Sequence, residues 1–371
     1  DGAVTEIRCC RIEDSPRYAY RGLHVDVSRH FRSVDFLKKQ MDAMAFFKMN
    51  RMHLHLTDAA GWRLEIEAYP RLTRFAAWRP EALWKSWWNG GRRYADEGTE
   101  GVYGGYYTKE DIAELVSYAA ERHIELIPEI EMPSHSEEVL AAYPELGCTG
   151  EPYKDSDFCV GNEAVFTFLE TVLTEVMEMF PSEYIHIGGD EAGKEHWKTC
   201  PKCQQRMADE NISDVDGLQS YMIHRIGKFI ASKGRKMIGW DEILQGGLAP
   251  GAVVMSWRGT EEGIEAMAAG HDVIMTPGRY CYLDHAQDAP FKEPESIGGY
   301  LPLDSVYVYE PFEPKMPKDK LNHILGLQAN LWSEYIPTDE HAEYMYWPRA
   351  FAIAEAAWCE PHRKTQSDFR R

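Results

Sequence analysis

At 371 residues the chain exceeds an average domain, yet it suits one α/β barrel, which takes about 250 residues before insertions. A formal net charge of -20 sets it against nucleic acid and anionic membrane partners, and no run approaches the roughly 18 apolar residues of a membrane span. With 44% hydrophobic residues it has an ordinary globular composition, and its 20 Tyr, 14 Phe and 11 Trp are a rich supply of flat faces.

The segment up to Ser15, including Val4–Arg8, reads as the remnant of a preceding domain, and residues 1–371 as one catalytic domain cut from a longer chain. No signal peptide precedes Asp1, so export is left open: secreted, periplasmic or cell-surface if one lies upstream. Beyond it, strands and helices alternate. Gly22–Val27 is a strand, Ser33–Lys48 a helix, and Arg51–Leu56 the second strand. A Trp- and Gly-rich insertion, Ala59–Gly105, follows, then a helix over Thr108–Arg122, whose Thr108 and Asp111 are spaced as N-cap and N3 acid. Ile124–Ile130, Tyr184–Gly188, Lys236–Gly239, Val253–Ser256, Asp272–Thr276 and Ile324–Ala329 complete eight strands. Helices are expected over Glu163–Phe180, Ser213–Ser232, Gly263–Ala269 and His341–Ala357. Glu242–Leu248 is too short for a crossover helix. This alternation predicts parallel strands and a closed (β/α)₈ TIM barrel, with the helix after strand five irregular or missing.

Chemistry in that architecture gathers at the carboxyl ends of the strands. Polar residues stand there after nearly every strand: Asp58, then Glu129-Ile130-Glu131 and His135, then Asp190-Glu191, Asp241-Glu242, Tyr282 with Asp284, and Ser333-Glu334. The stretch Tyr184–Glu191 is the centre of this pattern, an apolar strand that passes two glycines and ends on adjacent carboxylates. Trp240, Trp257 and Trp332 fall at successive strand ends and suit the wall of a sugar pocket, where aromatic faces meet the apolar faces of the ring and carboxylates take its hydroxyls. His53 and His55 point to one face of their strand. A metal-dependent barrel hydrolase would build a metal site from such a pair, but the later strand ends offer tryptophans where further ligands are needed, so both read as structural histidines. His135, paired with Asp58, is placed to tune a carboxyl's proton affinity; the alternative is a capping histidine on a surface turn.

Of eight cysteines, Cys9, Cys10, Cys281 and Cys359 read as small core residues. Cys148 and Cys159 flank a loop and are candidates for a disulfide, which would imply an oxidising compartment. Cys200-Pro-Lys-Cys203 is half of a zinc pattern; no second CxxC or HxxxH is found for it, and a surface turn or redox-sensitive pair is the expectation. No metal and no cofactor is expected.

The run His186-Ile187-Gly188-Gly189-Asp190-Glu191 resembles the signature of glycoside hydrolase family 20, the β-N-acetylhexosaminidases. Arg21–Phe31, His53–Asp58, Glu129–His135 and Gly239–Glu242 resemble further segments of that family, in its order, from about Pro16 to Pro361. The resemblance implies a barrel without a regular fifth helix and metal-free, retaining exo-hydrolysis of terminal β-linked N-acetylglucosamine or N-acetylgalactosamine. It also implies roles: Glu191 as general acid/base, and Asp190 holding the substrate's 2-acetamido group, whose oxygen attacks the anomeric carbon to give an oxazolinium intermediate. His135 and Asp58 would support Glu191. Arg21 and Glu334 would bind outer hydroxyls, Trp240, Trp257 and Trp332 would line the acetamido pocket, Tyr282 would donate to the acetamido oxygen, and Asp284 would contact a hydroxyl.

Some positions depart from the family pattern. Ala59 and Ala60 stand where a second acid and a Gln are common, Ser134 replaces a common Gly, and Glu131 a common Asp. Tyr309 stands where a loop Trp is common, which leaves linkage preference open. The expected partner is therefore a terminal N-acetylhexosamine of a glycan or chitooligosaccharide. A non-catalytic sugar-binding barrel and a related lacto-N-biosidase or sulfo-GlcNAc hydrolase are the other readings. The natural glycan, the gluco/galacto preference and the oligomeric state are open.

Overall fold

The structure is a computed structural model that describes residues 9–370; Val4–Arg8 lies outside them. Eight strands close into a parallel barrel: β1 Tyr20–Asp26, β2 Arg51–His55, β3 Glu125–Met132, β4 Tyr184–Gly188, β5 Lys236–Trp240, β6 Val253–Ser256, β7 Val273–Met275 and β8 Ile324–Ala329. Each strand pairs with its sequence neighbours, and β1 closes the ring on β8 with Tyr20 opposite Gly326 and Leu23 opposite Ala329. All eight expected strands are present, within a few residues of the expected ends.

The strands are buried on both faces, so side chains alternate between two interiors. Leu23, Val25, Met52, Leu54, Leu126, Ile185 and Ile187 face outward into the main apolar core between strands and helices. The inward set starts apolar at the base of the barrel, with Tyr20, Ile127, Tyr184, Ile238 and Val253, and turns polar towards the mouth. There His24, His53, His55, Glu129 and His186 are fully buried.

Helices cover the outside: Val34–Phe46, Lys109–Ala120, Glu163–Met179, Val215–Ser232 and Glu261–Ala268. The Thr108–Asp111 capping box forms in full, each partner satisfying the other's free amide. After β5 a 3₁₀ turn, Asp241–Leu244, replaces the helix. The expected helix His341–Ala357 is two helices, Asp339–Tyr346 and Arg349–Trp358, because Pro348 has no N–H to continue the first. Among the described residues no helix is long and apolar enough to cross a membrane.

The insertion after β2 is not loose. Two short antiparallel ribbons, Thr57–Asp58 with Gly61–Trp62 and Trp78–Arg79 with Tyr103–Gly104, are held by buried arginines. Arg63 donates to the carbonyls of Ser28 and Ala77, and Arg79 to those of Ala60, Ala82 and Arg29. Guanidinium groups used this way satisfy several buried carbonyls at once and fix the mouth of β1 against the mouth of β2. Ala59 and Ala60 are buried beside Trp87 and Tyr94, so this insertion fills the space that larger side chains would need.

Cys9 and Cys10 are exposed on an irregular N-terminal segment and are not core residues. Cys281 is buried as expected, and Cys359 half-buried.

Candidate active site

The mouth of the barrel holds a cavity of about 390 Å³. It is lined by a cluster of aromatic rings, Trp240, Trp257, Tyr282 and Trp332, by Asp58, His135, Asp190 and Glu191, and by Asp284, Glu334 and Arg29, the last of which bridges Asp58 and Glu334. Every site residue expected from the sequence lines this one cavity except Arg21.

Arg21 lies at the start of β1, on the opposite end of the barrel. It donates to the carbonyls of Tyr18 and Lys48 at 2.8 and 2.7 Å and stacks on Trp358. The arginine at the mouth is Arg29, three residues beyond the end of β1. It meets Asp58 at 2.8 Å, Asp26 at 3.2 Å and Glu334 at 3.6 Å, and lies over the Trp332 ring. The signal that separates the two was present in the sequence: Arg21 precedes its strand's apolar residues, and Arg29 follows them. The rim formed by His285 and Ile297–Gly299 was also not legible, because it comes from an irregular loop. Tyr309 is buried against Tyr280 and takes no part in the cavity.

The acid pair is positioned by backbone that other residues resist. Gly188 and Gly189 have φ of +68° and +95°, and a Cβ on Gly188 would strike the Glu131 carboxyl at 1.8 Å. Glu191 and His135 adopt φ of +49° and +54°, a region that costs a side-chain-bearing residue of order 1–3 kcal/mol unless its surroundings impose it. The turn sends the two carboxylates apart. Asp190 is 9% exposed inside the cavity, whereas the Glu191 side chain is 59% exposed at its lip. Both still reach His135, whose Nε2 stands 3.6 Å from Asp190 and 3.4 Å from Glu191, while its Nδ1 faces Asp58 at 3.4 Å.

Charge in this cluster is set by burial against neighbours. Burial alone would discharge His135, but Asp58, Glu191 and Asp190 outweigh it and hold its pKa well above 6.5. Contact with His135 lowers Glu191 from its ordinary value against the opposing effect of burial. Burial raises Asp190, opposed by His135. Burial and the neighbouring Glu334 push Asp284 up to about 7.

Beneath the cavity, Glu129 collects the barrel's polar interior. It lies 2.6 Å from His55 Nδ1, 2.9 Å from His53 Nε2 and 3.1 Å from His186 Nδ1, and accepts from Trp240 Nε1 at 2.7 Å. His53 and His55 are thus interior residues, as the sequence indicated. The second contact of His55 is Asp58, at 3.0 Å, so the interior network runs directly into the cavity wall. Trp257 is held from the other side, its Nε1 donating to Glu242 at 2.9 Å and its amide to Asp241 at 2.8 Å.

This network has a consequence for stability. Burial works against the charge on His55, but Glu129 and Asp58 carry its pKa from 6.5 to about 10. A raised folded-state pKa means that the folded protein keeps a proton that the unfolded chain gives up, so the stabilisation is full below about 6.5 and is lost as pH rises through about 10. Glu242, raised to about 8 by burial and by Asp190, and Asp284 act in the same direction. Opposing them are buried His53, at about 4, and His30, at about 3, whose contribution is nearly complete by pH 6.5, and the lowered Cys203 and Arg79, which offset part of the fall. The melting temperature is therefore expected to fall between about pH 6.5 and about pH 10; calorimetry showing a flat or rising profile there would contradict this assignment of charges.

The profile described as "Glycosyl hydrolase family 20, catalytic domain" matches residues 18–361. The chain belongs to glycoside hydrolase family 20. Within the family, a beta-hexosaminidase of Porphyromonas gingivalis is 47% identical over 97% of this chain, which covers 45% of that protein. A beta-hexosaminidase of Akkermansia muciniphila is 36% identical over all of this chain and 74% of its own length. The crystal structure of an exo beta-N-acetylglucosaminidase from Vibrio harveyi in complex with N-acetylglucosamine superposes with a TM-score of 0.85 at 33% identity, over 96% of this chain and 57% of that one. The chain thus spans about half the length of several of the family 20 relatives it matches.

Proposed function

We propose that this domain removes terminal β-linked N-acetylhexosamine from the non-reducing end of glycans with retention, using the substrate's own acetamido group as nucleophile. The observation that carries this reading is a set of unspent acceptors: Asp190 Oδ1, Asp284 Oδ1 and Glu334 Oε2 are buried and take no hydrogen bond from the described residues. A buried carboxylate oxygen without a donor is costly, and a sugar supplies the missing donors through its N–H and hydroxyls. The names of the relatives above point to the same substrate class.

The placement of the acids supports the substrate-assisted route. A two-carboxylate glycosidase needs its acids on opposite faces of the scissile bond, about 5–5.5 Å apart for retention and 6.5–9.5 Å for inversion. Asp190 and Glu191 are sequence neighbours on one wall, their oxygens within 4.8 Å of each other and of His135. They flank nothing, so a double displacement through an enzyme carboxylate does not suit them. Glu191, at the lip, is placed to give its proton to the leaving oxygen and then to take one from water. Asp190, inside, is placed to accept from the acetamido N–H and turn its carbonyl oxygen towards the anomeric carbon. The tryptophan walls exclude water from that oxygen, which strengthens the Asp190 contact. His135, kept charged by Asp58, supplies a proton next to Glu191. Arg29, Asp284 and Glu334 would take the outer hydroxyls.

A panel of aryl glycosides tests the reading. Hydrolysis of the β-GlcNAc or β-GalNAc substrate is expected, with none of the β-glucoside, which has the same leaving group and no acetamido nucleophile. Comparable turnover of the β-glucoside would remove the substrate-assisted route, and no turnover of any member would favour a non-catalytic sugar-binding barrel. Including the 6-sulfates and lacto-N-biose separates the related specificities.

A further inference from the structure

The fold assembles a four-cysteine cluster that the sequence showed only in halves. Cys148 and Cys159 come from the long loop after β3, whose two arms are bridged between Gly147 and Phe158, with the Cys159 amide donating to Leu146. Cys200 precedes the helix Pro201–Asp209 and Cys203 lies in its first turn. The four Sγ atoms lie within 4.8 Å of one another, and the pairs Cys148–Cys203, Cys159–Cys200 and Cys159–Cys203 are each 3.7 Å apart.

These separations discriminate between the possible states of the thiols. A disulfide requires about 2.05 Å between sulfurs. Here Cys159 is equally distant from Cys200 and Cys203, and Cys203 from Cys148 and Cys159, so the geometry selects no pairs. Tetrahedral zinc with Zn–S bonds of about 2.3 Å places its sulfurs about 3.8 Å apart, close to the three spacings seen. We infer that Cys148, Cys159, Cys200 and Cys203 form a structural zinc site.

The surroundings suit thiolates. The amino-terminal end of the nine-residue helix Pro201–Asp209 directs its partial positive charge at Cys200 and Cys203. Gly161 packs so closely on this turn that a Cβ would lie 2.1–2.3 Å from the Lys202 and Cys203 backbone, which lets its amide approach the Cys203 sulfur. Three of the four cysteines are buried, and none lines the substrate cavity. The candidate disulfide between Cys148 and Cys159, and the surface turn or redox-sensitive pair expected at Cys200 and Cys203, give way in this proposal to one site.

The site would also hold the catalytic loops. Phe158 donates its amide to Pro133 and Ser136 its amide to Ser156, so the cysteine-bearing loop grips the turn that carries His135. The Lys194 amide donates to Asp157 and the Trp197 indole to the Phe158 carbonyl, so the same loop grips the segment leaving Glu191. A metal joining the two loops at their far ends would fix both partners of the His135–Glu191 contact without touching substrate.

Elemental analysis of the protein prepared without chelator tests the inference. About one zinc per chain is expected, released to a chromogenic indicator by an organomercurial, with a lower melting temperature afterwards. Cobalt taken up in its place should give the thiolate charge-transfer and visible bands of a tetrahedral sulfur site. Cys203→Ser should lose the metal; if that variant does not fold, the mercurial and cobalt measurements on the unaltered protein stand alone. Thiol titration in denaturant with chelator and without reductant should find all eight cysteines. Four missing thiols, or neither zinc nor cobalt bound by the reduced protein, would overturn the site.

Discussion

Glu191→Gln is expected to lower kcat on an aryl β-N-acetylglucosaminide by ~10²–10⁴-fold, the usual loss when a positioned general acid is removed. Gln keeps the size and one acceptor but carries no transferable proton, so KM should change far less than kcat. The environment adds a finer expectation. In the free site His135 is charged and lowers Glu191 from its ordinary value, so the proton that the reaction needs belongs to the His135–Glu191 pair. A substrate whose phenol leaves easily depends little on that proton and should lose least in the variant; a poor leaving group should lose most. Steady-state kinetics over a series of phenols measures this. Full activity on the poorest leaving group would remove Glu191 from the role.

The distribution of what the sequence showed follows from where information is local. The barrel was legible because each strand is a short apolar run with its own boundaries, and because Glu242–Leu248 is too short for a full crossover helix. The acid pair, the three tryptophans, Tyr282, Asp284 and Glu334 were legible because a barrel places chemistry just past its strands, a rule that needs only chain order. The same rule applied to the Arg21–Phe31 segment favours Arg29, and choosing Arg21 placed a residue from the start of β1 at its end. The cysteine cluster was not legible because its halves are joined only by packing of the β3 and β4 loops, some forty residues apart. The charge states were equally hidden. That Glu129 unites His53, His55 and His186 depends on three strands meeting inside the barrel, and no single strand carries that information.

Asp190→Ala is expected to separate positioning from proton transfer. Asp190 Oδ1 is buried without a donor, so the contact it would make to an acetamido N–H is charge-assisted and shielded from water. Hydrogen bonds to charged groups contribute about 1.5–3 kcal/mol, or roughly tenfold to a hundredfold in rate. A misplaced nucleophile adds to this, since an error of about 1 Å can cost 10²-fold, so kcat should fall by ~10³–10⁴-fold in total. Glu191 and His135 remain in place, so the pH dependence attributable to that pair should persist in the residual activity. Asp190→Asn keeps an oxygen in position but loses its charge, and should fall between the two. A thiazoline analogue of the cyclised intermediate presents its ring nitrogen where the acetamido nitrogen would lie, and both variants should bind it more weakly, Ala more than Asn. Unchanged thiazoline inhibition in Asp190→Ala would show that the intermediate is not held by this carboxylate, and an enzyme nucleophile would then have to be sought among the other acids of the cavity, at Asp284 or Glu334.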